Sequence, residues 1–136
     1  MLGVKGTSIP LLAKALDAYA IRQQVIADNI ANSETPGFQR RKVRFEEELL
    51  RALGGRVRGR RVHPRHIPIG RPRVGEVRPE IVRADYPKVP SGVNNVDVER
   101  EMVQLAKNQL RYISVVQVLK RRLQDLRLSV EGRGGM

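Results

Sequence analysis

Apolar residues recur in alternating steps of three and four near both ends of the chain, and that spacing commits it to long helices that pair lengthwise. The first line is Ile9, Leu12, Leu16, Tyr19, Gln23, Ile26 and Ile30. The second is Val98, Met102, Leu105, Gln109, Tyr112, Val116, Leu119, Leu123, Leu126 and Val130. The spacing predicts helices over residues 8–31 and 95–130. Six alanines between Ala13 and Ala31 raise helix propensity and let a partner approach closely. Ser8 is placed to cap the first turn, where Pro10 is tolerated. Asn32 is placed to end that helix in the left-handed conformation. Asp97, Glu99 and Glu101 near the start of the second helix, and Lys120, Arg121, Arg122 and Arg127 towards its end, suit the helix dipole. Gly132, Gly134 and Gly135 stop it.

The expected fold is mainly α, with the two long terminal helices paired as an antiparallel coiled coil. Thr35-Pro36-Gly37 interrupts the chain after the first helix. Proline before glycine favours a type II turn there. Val43–Leu53 reads as a short amphipathic helix with Phe45, Leu49 and Leu53 on one face, stopped by Gly54-Gly55. Residues 54–91 form a basic Pro/Gly-rich segment, irregular or carrying a small β element. Ile67–Ile69 and Glu80–Arg83 are its candidate edge strands. The layout is one discontinuous structural domain in three parts, 1–53, 54–91 and 92–136. Because the second seam is the longer, part of its stripe should pack on another subunit or on the Phe45 helix. Gln23 and Gln109 interrupt the seams; they either fix register or sit at a thin, wet stretch.

No constellation for catalysis, a cofactor or a metal emerges. Cysteine is absent, so thiolate chemistry is excluded. His63 and His66 lack further ligands and stand among arginines. Glu46, Glu47 and Glu48 diverge around a helix, and no nucleophile elbow or phosphate loop occurs. The chain therefore reads as something other than an enzyme. No stretch reaches the roughly 18–20 apolar residues that a spanning helix needs. Lys5, Pro10, Lys14 and Asp17 leave no secretory h-region in the first twenty residues.

The net charge is +12, and +8 of it lies between Arg51 and Arg83, where ten arginines face Glu76 and Glu80. Such a segment suits nucleic acid, an acidic lipid surface or an acidic protein, or is simply a solvated loop. Few aromatics accompany it for stacking on bases. Arginine outnumbers lysine 20 to 6, a bias that also fits bidentate pairing with carboxylates.

Asn29-Ile-Ala-Asn-Ser-Glu-Thr-Pro-Gly-Phe38 resembles the Asn-x-Ala-Asn-x-x-Thr-Pro-Gly-aromatic signature of bacterial flagellar rod, hook and hook-associated proteins. Gly92-Val-Asn-Asn-Val-Asp-Val-Glu-Arg-Glu-Met102, followed by Ala106-Lys-Asn-Gln-Leu-Arg-Tyr112, resembles the C-terminal block of the proximal-rod subunit of the FlgB type. The sister FlgC type is the nearest alternative. The resemblance covers residues 8–53 and 92–131; residues 54–91 carry no family signature, and Phe38 stands where tyrosine is commoner.

That resemblance implies a structural subunit of the flagellar basal-body rod, crossing the periplasm and exported by the type III apparatus without a cleaved signal peptide. Its helices would self-associate in a helical polymer, a drive shaft that transmits torque and surrounds the export channel. Partners would be other rod subunits and the MS-ring/export-gate base. The implied assembly motif is Asn29, Asn32, Thr35, Pro36, Gly37, Phe38, Asn95, Asp97, Glu99 and Glu101. The implied seam is Leu12, Leu16, Ile26, Ile30, Met102, Leu105, Tyr112, Val116, Leu119, Leu123 and Leu126. Asn29 and Asn32 either close the helix and turn or bond to an adjacent subunit. The alternative function is a basic nucleic-acid-binding or adaptor protein using residues 51–83.

Overall fold

A computed structural model describes residues 8–53, 74–84 and 94–132. Helix α1 (Ser8–Ala31) leads into strand β1 (Arg41–Arg44) and helix α2 (Glu46–Leu53). A 3-10 turn at Val74–Glu76 precedes strand β2 (Glu80–Arg83), and helix α3 (Val98–Glu131) closes the described chain. The fold is mainly helical, as the spacing predicts. Both terminal helices are present, α1 with the expected bounds and α3 starting three residues later than expected, behind an Asp97 cap. Asp97 is extended and its carboxylate accepts the Arg100 N–H at 3.1 Å, which satisfies one orphan donor of the first turn.

The helices run antiparallel. The end of α1 meets the start of α3 through Asn29 and Glu101, and its middle meets α3 through Tyr19 and Asn108. Val115 packs against the core cluster that includes Ala15 and Ala18. At 1.5 Å per residue the 34-residue α3 spans about 50 Å. The described part of α1 runs out before α3 does.

The face that α3 buries differs from the predicted seam. Val98, Met102, Tyr112, Leu123, Leu126 and Val130 are exposed, while Leu105, Val116 and Leu119 are half-buried. The inward line is instead Glu101, Asn108, Val115 and Arg122, spaced by sevens, and Glu101 and Asn108 are its buried members. On α1, Ala15, Ala18, Val25, Ile26 and Asn29 are buried; of the predicted line only Ile26 is, with Leu12, Leu16 and Ile30 half-buried. Gln23 and Gln109 are exposed and set no register within the chain. The physical reason is that apolar spacing assumes polar side chains face out, whereas a hydrogen-bonded polar side chain can be buried.

α1 ends without the expected left-handed residue. No non-glycine residue among those described has positive φ. Asn32 instead extends the helical bonding: its backbone N–H donates to the Asp28 carbonyl at 3.0 Å and its side-chain amide to the same oxygen at 2.8 Å. The turn after it is of type II. The Phe38 N–H donates to the Thr35 carbonyl at 3.2 Å across Pro36 and Gly37, and Gly37 holds φ 75°, which a side chain would strain.

A two-stranded antiparallel sheet stands in the middle, pairing Arg41 with Arg83, Lys42 with Val82, Val43 with Ile81 and Arg44 with Glu80. Glu80–Arg83 is thus a strand as expected; its partner lies at 41–44, where Val43 and Arg44 were expected to begin a helix. Ile67–Ile69 lies outside the described residues. Arg44 and Glu80, directly opposite, form an ion pair at 3.7 Å. Val43, Phe45 and Val77 close a small core against Ala15, Ala18 and Val25. Phe45 is fully enclosed. Burying it contributes about 1.5–3 kcal/mol.

Candidate assembly site

The two motif blocks, distant in sequence, fold onto each other. Asn29 is fully buried near the end of α1, facing the free edge of β1. Its amide nitrogen donates to the Arg41 carbonyl at 2.8 Å, and its oxygen accepts the Arg41 N–H at 3.0 Å. One side chain thereby substitutes for a neighbouring strand and satisfies both backbone groups of Arg41. The same nitrogen donates to Glu101 Oε2 at 3.1 Å.

Glu101 is the centre of this junction. It is fully buried one turn into α3, and its other oxygen accepts from Arg40 Nε in a charge-assisted bond. The Arg40 backbone N–H in turn donates to Asn95 Oδ1 at 2.6 Å. Asn94, also buried, donates to the carbonyls of Asn32 at 3.0 Å and Thr35 at 3.3 Å, and to that of Ser33. Its oxygen accepts the Val96 N–H at 2.9 Å. The turn that follows α1 is thus tied through its carbonyls to the segment that leads into α3. Further along, Asn108 donates to the Tyr19 carbonyl at 2.8 Å; its own oxygen meets no donor among the described residues.

A second cluster flanks the junction. Arg22 of α1 grips the Glu46 carboxylate with both terminal nitrogens, one at 2.6 Å, and donates to the Val43 carbonyl at 3.2 Å. Arg111 of α3 approaches Glu46 at 3.7 Å. Burial alone would raise the Glu46 carboxyl, but bonds from Arg22 and the backbone, with the Arg22 and Arg111 charges, hold it below the usual carboxylate range.

Of the expected motif residues, Asn29, Asn32, Thr35, Asn95, Asp97 and Glu101 serve bonds within the chain, the Thr35 hydroxyl donating to Asn32 Oδ1 at 3.2 Å. Thr35, Pro36, Gly37 and Glu99 are exposed, and Phe38 is half-buried with the Arg41 guanidinium 5.7 Å from its ring. Apolar spacing missed Arg22, Arg40, Asn94 and Asn108, and the helix dipole is not what holds Glu101. One signal was available: Glu101 and Asn108 stand seven apart on a helix. Most of the Arg-rich segment, residues 54–73, lies outside the described residues. Among the described residues no cluster of His, Cys, Asp or Glu is placed to hold a metal, and no helix is long and apolar enough to cross a membrane.

The family described as Flagella basal body rod protein matches residues 11–39, a span that holds the Asn29–Phe38 block. Flagellar basal body rod protein FlgB of Bacillus subtilis (strain 168) is 31% identical over 125 residues, covering 92% of this chain and 94% of that protein. FlgB of Borrelia hermsii is 37% identical over 114 residues, 77% of this chain and 82% of its own. FlgB of Salmonella typhimurium is 33% identical over 128 residues, 88% and 89% of the two chains. The nucleic-acid reading draws no support from these relatives.

Proposed function

We propose, for a chain that belongs to the flagellar basal body rod proteins as a structural subunit of the FlgB type and not as an enzyme, that the exposed stripe of α3 is its polymerising surface. The subunit belongs to the basal body and associates there with other rod components. One observation carries the reading: Met102, Leu123, Leu126 and Val130 are exposed, outside the core that the described residues form. An apolar line of that length on a helix suits a second helix laid along it.

In this reading neighbouring subunits cover the stripe, and the α1–α3 pair forms part of the inner wall around the export channel. Helices in lengthwise contact resist shear along their axes and suit a shaft under torque. The position is the proximal rod, next to the MS-ring/export-gate base, reached through type III export without a cleaved leader. The family resemblance supports these finer points. The exposed turn at Thr35, Pro36 and Gly37, with Glu99, is left to meet a neighbour.

Replacing Leu123 and Leu126 together by glutamine tests the surface. Glutamine keeps nearly the helix propensity of leucine, so the change removes apolar contact and little else. Each buried leucine is worth about 1.5–3 kcal/mol. Cells carrying the double variant in place of the parent chain should fail to assemble rods and to swim. Normal basal bodies and motility would overturn the assignment of the stripe.

A further inference from the structure

A groove of about 570 Å³ opens between α1, β1 and α3. Its floor is apolar, made by Tyr19, Val25, Ile26 and Val43. Among the described residues its walls and rim carry Arg22, Arg40, Arg41, Lys42 and Arg111, against the single carboxylate of Glu46. Two of the cations are committed: Arg22 grips Glu46 and Arg40 bonds Glu101. The rim cations are held more loosely. Arg41 reaches Asp28 only at 3.6 Å and Arg111 reaches Glu46 only at 3.7 Å; the Arg41 side chain is partly exposed, and Arg111 and Lys42 are exposed.

We propose that this groove docks an acidic, amphipathic segment of a different protein, its apolar side chains on the floor and its carboxylates against Arg41, Lys42 and Arg111. Charge selects this occupant. A second copy of the chain brings another +12, so copy-to-copy contact here works against net repulsion. An acidic partner is steered in, and charge-assisted bonds to the rim fix its register. Nucleic acid fits worse: among the described residues Tyr19 is the only aromatic side chain lining the groove, and Arg22 already lies 5.6 Å from its ring. The groove uses none of the α3 stripe at Leu123 and Leu126. It is therefore a site separate from the polymerising surface.

The test uses the full chain and three labelled probes of equal negative charge. These are an amphipathic Glu/Leu peptide, a Glu/Ser peptide and a thymidine oligonucleotide, with binding read by fluorescence anisotropy. The Glu/Leu peptide should bind tightest. Lys42→Glu should weaken it about tenfold or more, equivalent to about 1.4 kcal/mol. Arg121→Glu, with the same change in net charge at an exposed position beyond the groove, should leave binding unchanged. Far-ultraviolet circular dichroism checks folding; should Lys42→Glu lose helix, Lys42→Gln and Arg111→Gln take its place and should each weaken binding. Equal weakening by Arg121→Glu, an indifferent response to the rim variants, or tighter binding of the oligonucleotide or the Glu/Ser peptide would each overturn the proposal. The Leu123/Leu126 glutamine variant should bind the peptide like the parent, so failure of the groove and failure of the stripe are read separately.

Discussion

The two ends of α3 are built on opposite terms. At Glu101 one face of the helix is enclosed, and what is buried there is polar: the Glu101 carboxylate, the Arg40 guanidinium, and Asn29 and Asn94 brought in from the two motif blocks. From Leu123 onward it is exposed all round, and among the polar side chains it shows to solvent stand four apolar ones, Leu123, Leu126, Leu128 and Val130. A lone chain should do the reverse, since burying charge costs free energy and exposing leucine forgoes it. The inversion separates two tasks. Buried polar groups tolerate one arrangement only, so the junction fixes how α1, β1 and α3 sit within the subunit. The apolar end tolerates many neighbours, and contact with them waits for assembly.

The comparison breaks most visibly at Glu101. Glu101→Gln keeps the size but removes the charge that Arg40 faces in the interior, and losing one member of a buried pair costs roughly 3–5 kcal/mol. Small domains are stable by only about 5–15 kcal/mol, so the urea midpoint should fall steeply and helix content with it. At the other end, the Leu123/Leu126 glutamine variant should move that midpoint little, because exposed substitutions usually stay within about 0.5 kcal/mol. If the two variants destabilised the isolated subunit equally, the division of labour along α3 would be wrong.

Asn29 sharpens the same contrast with a smaller effect. Asn29→Ala strands the Arg41 N–H and carbonyl and withdraws one donor from Glu101. An unsatisfied buried group costs about 1–3 kcal/mol. Asn29→Asp should also destabilise the chain, since it exchanges that donor for a second negative charge beside Glu101. Protection of the Arg41 amide against hydrogen exchange should drop in both. Unaltered protection at Arg41 would show that the side chain does not stand in for a strand.

How legible this was from residues alone follows from the same division. Helix α1, the Pro36-Gly37 turn and the family motif are local signals, carried by adjacent side chains, and each is found where it was read. The stripe on α3 was legible as a helix-length apolar line, and its extra length as calling for another subunit or the Phe45 helix, but which of its residues stay exposed was not. Spacing reports which residues share a face; it does not say whether the covering surface belongs to the same molecule. The junction was hidden for a different reason. Glu101 and Asn108 look like solvated positions until Arg40, Asn29 and the Tyr19 carbonyl are brought opposite them, from 61 to 89 residues away in the chain. Strand β1 was missed likewise. Arg41-Lys-Val-Arg44 has one apolar residue, and it becomes a strand through β2 on one side and Asn29 on the other.

The smallest expected effect lies at Glu46, between the two regimes, where a charged cluster is partly buried and partly wet. Its carboxyl titrates below the ordinary value of 4.5 because Arg22, the backbone and Arg111 together outweigh the effect of burial. A carboxylate with a lowered folded pKa adds stability above its unfolded pKa, and that stability is lost as the pH falls through the folded pKa. The contribution should therefore be complete at neutral pH and disappear in the acid range below about 4.5. Urea midpoints measured across that range isolate it when the parent is set beside Glu46→Gln. The parent should be the more stable at neutral pH, and the two curves should converge as the solution is acidified. Arg111 and Glu46 are both substantially exposed, so salt near 1 M, with a Debye length of about 3 Å, should narrow the neutral-pH gap. Curves that stay parallel from neutral to strongly acid pH would show that the Arg22–Glu46–Arg111 cluster does not tie the subunit together, leaving that task to the Glu101 junction alone.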